Sequence, residues 1–167
     1  VHDIGDWNGI LYLSMEWIEG ETLQRLLRQT GRLDRTRALQ IAEKIALALD
    51  AAHAQDIVHR DLKPGNVMID EQGGVKVLDF GLAFEGQAPA DAAAGVLVGS
   101  PPYMAPEQLR LEAIDRRVDL YALGLILREM TAGPRAASGP DLTPEARSAA
   151  GPVVTPLLEQ LLAERPE

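Results

Sequence analysis

Two short runs dominated by Val, Ile and Leu, at 67–69 and 75–78, constrain the fold of this 167-residue chain more than any other stretch. They flank a Gly-Gly pair at 73–74, and this arrangement is typical of an antiparallel β-hairpin. Asn66 comes directly before the first run and Asp79 directly after the second. The hairpin therefore places the side chains of Asn66 and Asp79 at neighbouring strand ends.

The chemistry of these strand ends points to a site that handles phosphate. Asn66 and Asp79 offer the hard oxygen ligands that Mg²⁺ prefers. Asp61, on the segment before the hairpin, can accept the proton of a hydroxyl group. Phosphoryl transfer needs such a carboxylate together with metal ions that neutralise the phosphates, and little covalent chemistry from the protein. These three residues therefore predict transfer of the γ-phosphoryl group of a nucleotide.

The motifs that contain these residues resemble those of the protein kinases. Residues 59–66 read HRDLKPGN and residues 79–81 read DFG, which match the catalytic-loop and metal-binding-loop motifs of that family. Residues 99–107, GSPPYMAPE, are similar to the end of a kinase activation segment, and residues 119–124, DLYALG, to the start of the helix that follows it. Four motifs in the family's order form a specific signal. The upstream stretch 15–23, MEWIEGETL, is most similar to the Ser/Thr kinases of eukaryotic type that occur in bacteria.

The resemblance implies catalytic roles and cofactors. Asp61 corresponds to the catalytic base, and Asn66 and Asp79 correspond to the ligands of Mg²⁺. Lys63 is similar to the lysine that contacts the transferred phosphoryl group in Ser/Thr kinases, so the implied acceptors are Ser and Thr hydroxyls of a protein substrate. Ser100 lies where the family forms the wall of the acceptor site. The implied cofactors are ATP and Mg²⁺.

The resemblance also implies a nucleotide pocket. Residues 10–15 correspond to the last strand of the small lobe, with Met15 guarding the back of the pocket. The carbonyl group of Glu16 and the amide of Ile18 correspond to the hinge groups that hydrogen-bond the adenine, and Met68 corresponds to the apolar floor beneath it. Without the downstream motifs, residues 10–15 would be interpreted as an ordinary core strand.

Five further residues have structural or regulatory counterparts in the family, namely Arg60, Phe80, Gly81, Glu107 and Asp119. Arg60 is expected to pair with a phosphate or an acid on the activation segment, Phe80 to pack in the core, and Gly81 to give backbone freedom. A buried carboxylate must be hydrogen-bonded, and Asp119 is expected to hold the backbone at residues 59–60. Glu107 is expected to have lost its partner, because the sequence ends before the arginine that the family places there.

The predicted fold is α+β, a protein-kinase-like fold that consists mainly of the α-helical large lobe. Residues 1–15 are expected to form the end of the small lobe, residues 16–20 the hinge, and residues 21–167 a large lobe truncated at its C-terminus. The sequence includes no Gly-rich phosphate loop and no strand lysine for the α- and β-phosphates, so the rest of the small lobe is expected to lie outside it. The chain alone is therefore expected to be inactive and only marginally stable.

Periodicity and end signals predict the helices. Residues 22–29 form a short amphipathic helix, and Asp34 caps a long helix whose apolar residues recur at helical spacing. The run 118–130 is apolar on every side, which predicts a helix buried in the core. Residues 133–151 are rich in Pro, Gly, Ser and Ala and predict a loop, and residues 153–162 predict a final helix.

Charge and cysteine content narrow the partners. A net charge of −9 and a pI near 4.8, without a basic run, argue against a nucleic-acid partner. The absence of cysteine rules out disulfides and Cys-based metal sites and fits a reducing cytoplasm. No apolar run is long enough to span a bilayer, so we expect a cytoplasmic chain without membrane contact of its own, while any anchor of the parent protein would lie outside it.

Two functions fit these residues. The first is a Ser/Thr protein kinase, and the alternative is a pseudokinase or regulatory scaffold that retains the fold. Pseudokinases commonly lose the base or a metal ligand, whereas this chain keeps all four catalytic positions, Asp61, Lys63, Asn66 and Asp79. The retained residues favour the catalytic interpretation.

The expected activation segment suggests how activity would be controlled. Residues 82–99 include no Ser, Thr or Tyr, so activity is expected not to depend on phosphorylation of this stretch. Glu85 or Asp91 is expected to take the place of a phosphate as the partner of Arg60.

Overall fold

Helices dominate the chain, and short strands surround the catalytic-loop motif. The structure is a computed structural model that describes residues 2–80, 100–133 and 142–163. Its elements in chain order are β1 (Asp3–Trp7), β2 (Ile10–Ser14), β3 (Glu21–Thr22), α1 (Leu23–Thr30), α2 (Arg35–His53), β4 (Val67–Ile69), β5 (Val75–Val77), α3 (Pro106–Leu109), α4 (Arg117–Ala132) and α5 (Pro144–Leu161), with 3₁₀ turns at Pro64–Asn66 and Pro101–Tyr103. This composition confirms the predicted α+β class. Within the described ranges, no helix is long and apolar enough to cross a membrane.

The first two strands form an antiparallel hairpin. β1 and β2 pair antiparallel, and Trp7 and Ile10 face each other at the last register position. Asn8 and Gly9 connect them with φ angles of 54° and 80°. A two-residue turn with two positive φ angles follows the natural twist of paired strands. The hairpin forms a sheet separate from that of β3, β4 and β5.

The second sheet positions the strand-end residues of the site. β4 pairs antiparallel with both β3 and β5. Beyond the last paired residues, the amide of Leu78 donates to the carbonyl oxygen of Asn66 at 2.8 Å. Asn66 and the residue before Asp79 are therefore neighbours across the ladder, which confirms the predicted hairpin geometry.

The first two helices begin where their caps predict. Thr22 accepts a hydrogen bond from the amide of Arg25 at 3.2 Å and begins α1. Asp34 accepts from the amide of Arg37 at 3.0 Å and begins α2. Each side-chain oxygen satisfies a backbone donor that has no partner within its helix.

The core is built around α4. Thirteen of its 16 residues are buried, which confirms the prediction of a helix apolar on every side. It packs against α2 and α5. The main cluster of buried residues draws on four helices and includes Leu23, Leu27, Ile41, Ile45, Leu49, Ile126, Leu127, Met130, Val154 and Leu158. The core therefore lies directly behind the segment that carries Asp61.

The prediction of a loop over residues 133–151 is wrong in its C-terminal part, because α5 begins at Pro144. The hydroxyl of Thr143 accepts a hydrogen bond from the amide of Ala146 at 3.2 Å. Proline suits the first position of a helix, since its missing N–H would have no partner there. Thr-Pro-Glu is thus a helix start, although its composition resembles that of a loop. Gly151, with a φ of 76°, interrupts the helix before the segment predicted to be helical.

Candidate active site

Asp119 holds the backbone of the catalytic-loop motif. Its side chain is 1% exposed, and Oδ2 accepts a hydrogen bond from the amide of His59 at 2.9 Å. Oδ1 accepts from the amide of Arg60 at 2.8 Å. The ring of His53, a partly buried residue, places Nε2 2.8 Å from Oδ2. Three donors surround one buried carboxylate, so the contact expected between Asp119 and residues 59–60 is present.

The backbone of Arg60 has an unusual conformation. Its φ angle is 68°, in the left-handed region, which costs about 1–2 kcal/mol for a residue other than glycine. The carbonyl oxygen of Arg60 accepts a hydrogen bond from Nε2 of Gln108 at 2.8 Å. The backbone amide and the carbonyl oxygen of Arg60 are therefore each bound by a side chain from another element. Asp119 on α4 binds the amide, and Gln108 on α3 binds the carbonyl oxygen.

A hydrogen-bonded chain joins Asp61, Lys63 and Ser100. Nζ of Lys63 lies 2.5 Å from Oδ2 of Asp61 and 2.8 Å from the hydroxyl oxygen of Ser100. The other carboxylate oxygen of Asp61, Oδ1, is buried and has no hydrogen-bond partner among the residues that the structure describes. Oδ2 of Asp61 is therefore linked through Lys63 to Ser100, while Oδ1 accepts no hydrogen bond from the described residues.

Asn66 faces the segment that carries Asp61. Its Nδ2 donates to the carbonyl oxygen of Asp61 at 3.0 Å, which orients the amide and leaves Oδ1 available as a ligand. Asp79 is exposed and has a φ of 61°. It lies two residues after the end of β5, which pairs with the strand that follows Asn66. Two oxygen donors from neighbouring strand ends fit Mg²⁺, which retains water and phosphate oxygens as its other ligands. In the described part of the chain, no cluster of three or more His, Asp or Glu side chains could hold a metal by itself.

A cavity of about 490 Å³ lies between the segment after β2 and the strand that leads to Asp79. Its lining includes Met15, Glu16, Ile18, Asp79 and Phe80. Four of the predicted nucleotide and metal residues, Met15, Glu16, Ile18 and Asp79, therefore share one cavity with Phe80, which was predicted to pack in the core. The volume lies within the range of about 300–1,000 Å³ that is usual for small-molecule sites.

Met68 is not among the residues that line this cavity. It pairs with Lys76, which does line the cavity, so the two side chains leave the same face of the sheet. Nζ of Lys76 donates to Oε1 of Glu16 at 2.7 Å. This hydrogen bond and the positive charge of Lys76 lower the pKa of the exposed Glu16 carboxyl group.

His59 connects the catalytic-loop motif to the strand that precedes Asp79. Its Nε2 lies 2.8 Å from the carbonyl oxygen of Leu78, which can only accept, so Nε2 carries the proton. Nδ1 is then the acceptor for the amide of Asp61 at 3.4 Å. The rings of His59 and Phe80 lie 4.9 Å apart between their centroids, and Phe80 packs against the main core. Gly81, predicted to give backbone freedom next to Phe80, lies outside the described residues.

Tyr103 anchors the segment that carries Ser100. Its hydroxyl donates to Oε2 of Glu129 at 2.6 Å, and Glu129 is buried in α4. Burial raises the pKa of the Tyr103 hydroxyl above its ordinary value, and the hydrogen bond to Glu129 and the negative charge of that residue raise it further. The phenol therefore stays protonated and keeps its role as a donor.

The expectation that Glu107 would lack a partner is wrong. Glu107 is 6% exposed, at the start of α3, and it has a polar interaction within the chain. A buried carboxylate left without compensation would cost several kcal/mol, about 3–5 when one partner of a buried pair is removed. Glu107 is therefore not without a partner in this structure.

The sequence matches the protein kinase domain over residues 2–151, most of the chain. The chain belongs to the protein kinase family. A probable serine/threonine-protein kinase PknB of Bifidobacterium longum is 40% identical over 157 residues, which cover 91% of this chain and 22% of the relative. The serine/threonine-protein kinase PknD of Mycobacterium tuberculosis is 36% identical over 175 aligned positions, covering 98% and 26%. PrkC of Bacillus subtilis, also a serine/threonine-protein kinase, is 39% identical over 133 residues, covering 80% and 20%.

These relatives confirm the predicted resemblance to bacterial Ser/Thr kinases. The kinase chain spans about a fifth to a quarter of their length. The match reaches from the β1–β2 hairpin to α5, so both the cavity and the segment with Asp61 lie within the kinase domain.

Three residues of this kinase site were missed in the sequence: His53, Gln108 and Glu129. Glu129 stands in an apolar run, as Asp119 does, and the same argument about buried carboxylates could have found it. Gln108 stands three residues after Ala105, the N-cap residue of α3. A glutamine at this position can accept a hydrogen bond from the backbone amide of the N-cap residue, so the sequence did contain a signal for Gln108. The contact of His53 with a residue 66 positions away has no local signal.

Proposed function

We propose that the full-length protein is a Ser/Thr protein kinase that transfers the γ-phosphoryl group of ATP to a hydroxyl group of a protein substrate. The observation that carries this proposal is the position of Lys63. Its ammonium group binds both the carboxylate of Asp61 and the hydroxyl of Ser100. A base, a cation and the acceptor-side segment thus meet at one point.

The proposed mechanism assigns one role to each side chain. Asp61 accepts the proton of the substrate hydroxyl, while the hydroxyl oxygen forms a bond to the γ-phosphorus and ADP departs with the electron pair of the broken bond. Lys63 neutralises charge that develops on the transferred group. Asn66 keeps the backbone carbonyl of Asp61 in place through its Nδ2.

Asn66 and Asp79 are the proposed ligands of Mg²⁺, and the donor set of two oxygen atoms fits that ion. When bound, the ion supplies neutralisation of the phosphate charges. The cavity beside Met15, Glu16 and Ile18 is the proposed adenine site, with the carbonyl of Glu16 and the amide of Ile18 as its hydrogen-bonding groups. Met68 is proposed to contact the base from the sheet.

The proposed domain organisation follows from these assignments. Residues 1–15 form the end of the small lobe, residues 16–20 the hinge, and residues 21–167 belong to the large lobe. Arg60 is proposed to bind an acid of the activation segment, and Glu85 and Asp91, the candidates, lie outside the described residues. The proposed setting is the cytoplasm, and proteins are the proposed substrates.

Replacing the proposed base tests this function. Asp61→Asn in the full-length gene product removes the proton acceptor without changing the shape of the side chain. We expect turnover of a Ser/Thr protein substrate to fall about 10²–10⁴-fold, while the affinity for ATP, measured by calorimetry, stays within about 3-fold because the cavity is unchanged. Asp50→Asn, an exposed change on α2, is the matched control and should retain full activity. Undiminished turnover in Asp61→Asn would refute the assignment.

A further inference from the structure

The left-handed backbone at Arg60 lies directly before the proposed base. Its carbonyl carbon is bonded to the backbone nitrogen of Asp61, so the peptide plane of Arg60 determines where the side chain of Asp61 begins. A strained conformation persists only where its surroundings determine it fully. Here the amide of Arg60 is bound by Asp119 and its carbonyl oxygen by Gln108. The Asp119 contact therefore fixes only one of the two polar groups of this residue.

The side chain of Gln108 makes two hydrogen bonds that also fix its orientation. Oε1 accepts from the amide of Ala105 at 3.0 Å, and Nε2 donates to the carbonyl oxygen of Arg60 at 2.8 Å. An amide N–H can only donate and a carbonyl oxygen can only accept, so the amide group cannot be reversed. Gln108 is half-buried, which limits competition from water.

These two contacts join the two sides of the site. Ala105 is the last residue before α3 and follows the segment that carries Ser100 and Tyr103. Arg60 precedes Asp61. One side chain therefore connects the acceptor-side segment to the base by way of two backbone groups.

We propose that Gln108 is a positioning residue, which holds the peptide before Asp61 in the left-handed conformation and keeps the base in register with the acceptor-side segment. The role of the base rests on the proposed function, whereas the effect on the backbone does not. Gln108 acts through Arg60 and touches neither substrate.

Gln108→Glu separates the two contacts of this side chain. The variant keeps an oxygen for the amide of Ala105 but sets a carboxylate oxygen against the carbonyl oxygen of Arg60, so the contact with the catalytic loop is lost. Gln108→Met removes both contacts at similar volume and introduces no charge. Gln55→Glu is the matched control, because Gln55 also donates to a backbone carbonyl, that of Ala51 at 3.2 Å, but at an exposed position.

The measurements are steady-state kinetics of the full-length gene product and amide hydrogen exchange. We expect kcat to fall about 10–100-fold in both Gln108 variants, with the KM for ATP within about 3-fold, because the cavity is not touched. Exchange of the amides at residues 59–61 should be faster in both, while that of α4 stays unchanged. Gln55→Glu should match the wild type in both measurements.

Three outcomes would overturn the proposal: an unchanged kcat in Gln108→Glu, a kcat in Gln108→Met equal to that of the wild type, or unchanged exchange at residues 59–61. A wild-type kcat in Gln108→Met would show that any defect of Gln108→Glu comes from its new negative charge and not from the lost hydrogen bonds. A wild-type protein that transfers no phosphoryl group would refute the proposed function instead, and the exchange measurement would still decide whether Gln108 holds this backbone.

Discussion

The hydroxyl of Tyr103 donates to a carboxylate that cannot reach water easily, since Glu129 is 8% exposed. Ionisation of the phenol would remove the donor and place a second negative charge beside Glu129. Burial, the hydrogen bond and the charge of Glu129 therefore all raise the pKa of Tyr103 above its ordinary value near 10. At the scale of single residues, this contact couples the acceptor-side segment to the core.

The raised pKa has a defined effect on stability. The folded chain holds the proton of Tyr103 more tightly than the unfolded chain does. The stabilisation is therefore complete below about pH 10, the unfolded value, and is lost as the pH rises above it. We expect the free energy of unfolding to fall more steeply above about pH 10 in the wild type than in Tyr103→Phe, measured by urea unfolding across this range.

At neutral pH the same substitution should cost about 1.5–3 kcal/mol, because a hydrogen bond to a buried charged group is lost. Tyr12→Phe is the control. Tyr12 also donates to a carboxylate, Oδ2 of Asp3 at 3.1 Å, but on the exposed hairpin, so its loss should cost less than about 0.5 kcal/mol. Parallel curves for wild type and Tyr103→Phe above pH 10 would contradict the role of the Tyr103–Glu129 contact.

Among the elements, the pairing of β3 with β4 depends on Gly20. Its φ is 145°, and a Cβ atom added there would lie 2.2 Å from the carbonyl oxygen of Ile69. Ile69 pairs with Glu21, so backbone and not a flexible side chain would have to move. Gly20→Ala should lower the free energy of unfolding by about 2–3 kcal/mol, as measured by chemical denaturation.

Gly31→Ala gives the comparison for Gly20→Ala. Gly31 also has a positive φ, 73°, but nothing lies within 4 Å of an added Cβ. Its substitution should cost less than Gly20→Ala, because only the backbone conformation and no close contact opposes the added Cβ atom. Equal losses of unfolding free energy in the two variants would show that β3 can shift to make room for the added Cβ atom without strain.

The elements also show how far the sequence could be interpreted. Helix starts at Thr22 and Asp34 and the hairpin turn at Asn8 were predictable, because each depends on residues within a few positions. The start of α5 at Pro144 was missed, since proline was weighed as a loop residue and its preference for the first helical position was not considered.

The contacts of the candidate site also divide into those that the sequence predicts and those that it does not. The motifs predicted that Asn66 and Asp79 belong to one site, and the strand pairing places them at neighbouring strand ends. Gln108 and Arg60 are 48 positions apart, and their contact depends on how α3 lies against the catalytic loop. Spacing alone could not indicate this contact, because it arises only from the packing of the helices.

At the scale of the whole molecule, the hairpin of β1 and β2 carries much of the exposed apolar surface. Trp7 is 69% exposed, Leu11 80% and Trp17, just after the hairpin, 86%. Such a surface is typical of an interface that is covered in the functional protein. The 167 residues also include no match to the Gly-rich loop motif or to the phosphate-binding strand-lysine motif of the family.

We therefore expect the purified 167-residue chain to transfer no phosphoryl group from labelled ATP to a generic protein substrate, under conditions in which the full-length gene product is active. The same chain with Asp61→Asn serves as the control for contaminating kinases. Transfer by the wild-type chain that disappears in the Asp61→Asn chain would contradict this expectation.

Asp119 links the geometry of the catalytic loop to the core. Its carboxylate is 1% exposed on α4, so the hydrogen bonds to His59 and Arg60 are anchored in a helix that packs against α2 and α5. Ser100, in contrast, is held through the partly exposed side chain of Lys63. Local opening has the lowest free energy where few buried contacts must break. Fluctuations of the folded protein therefore release the contact of Lys63 with Ser100 more readily than the contacts of Asp119 with the catalytic loop.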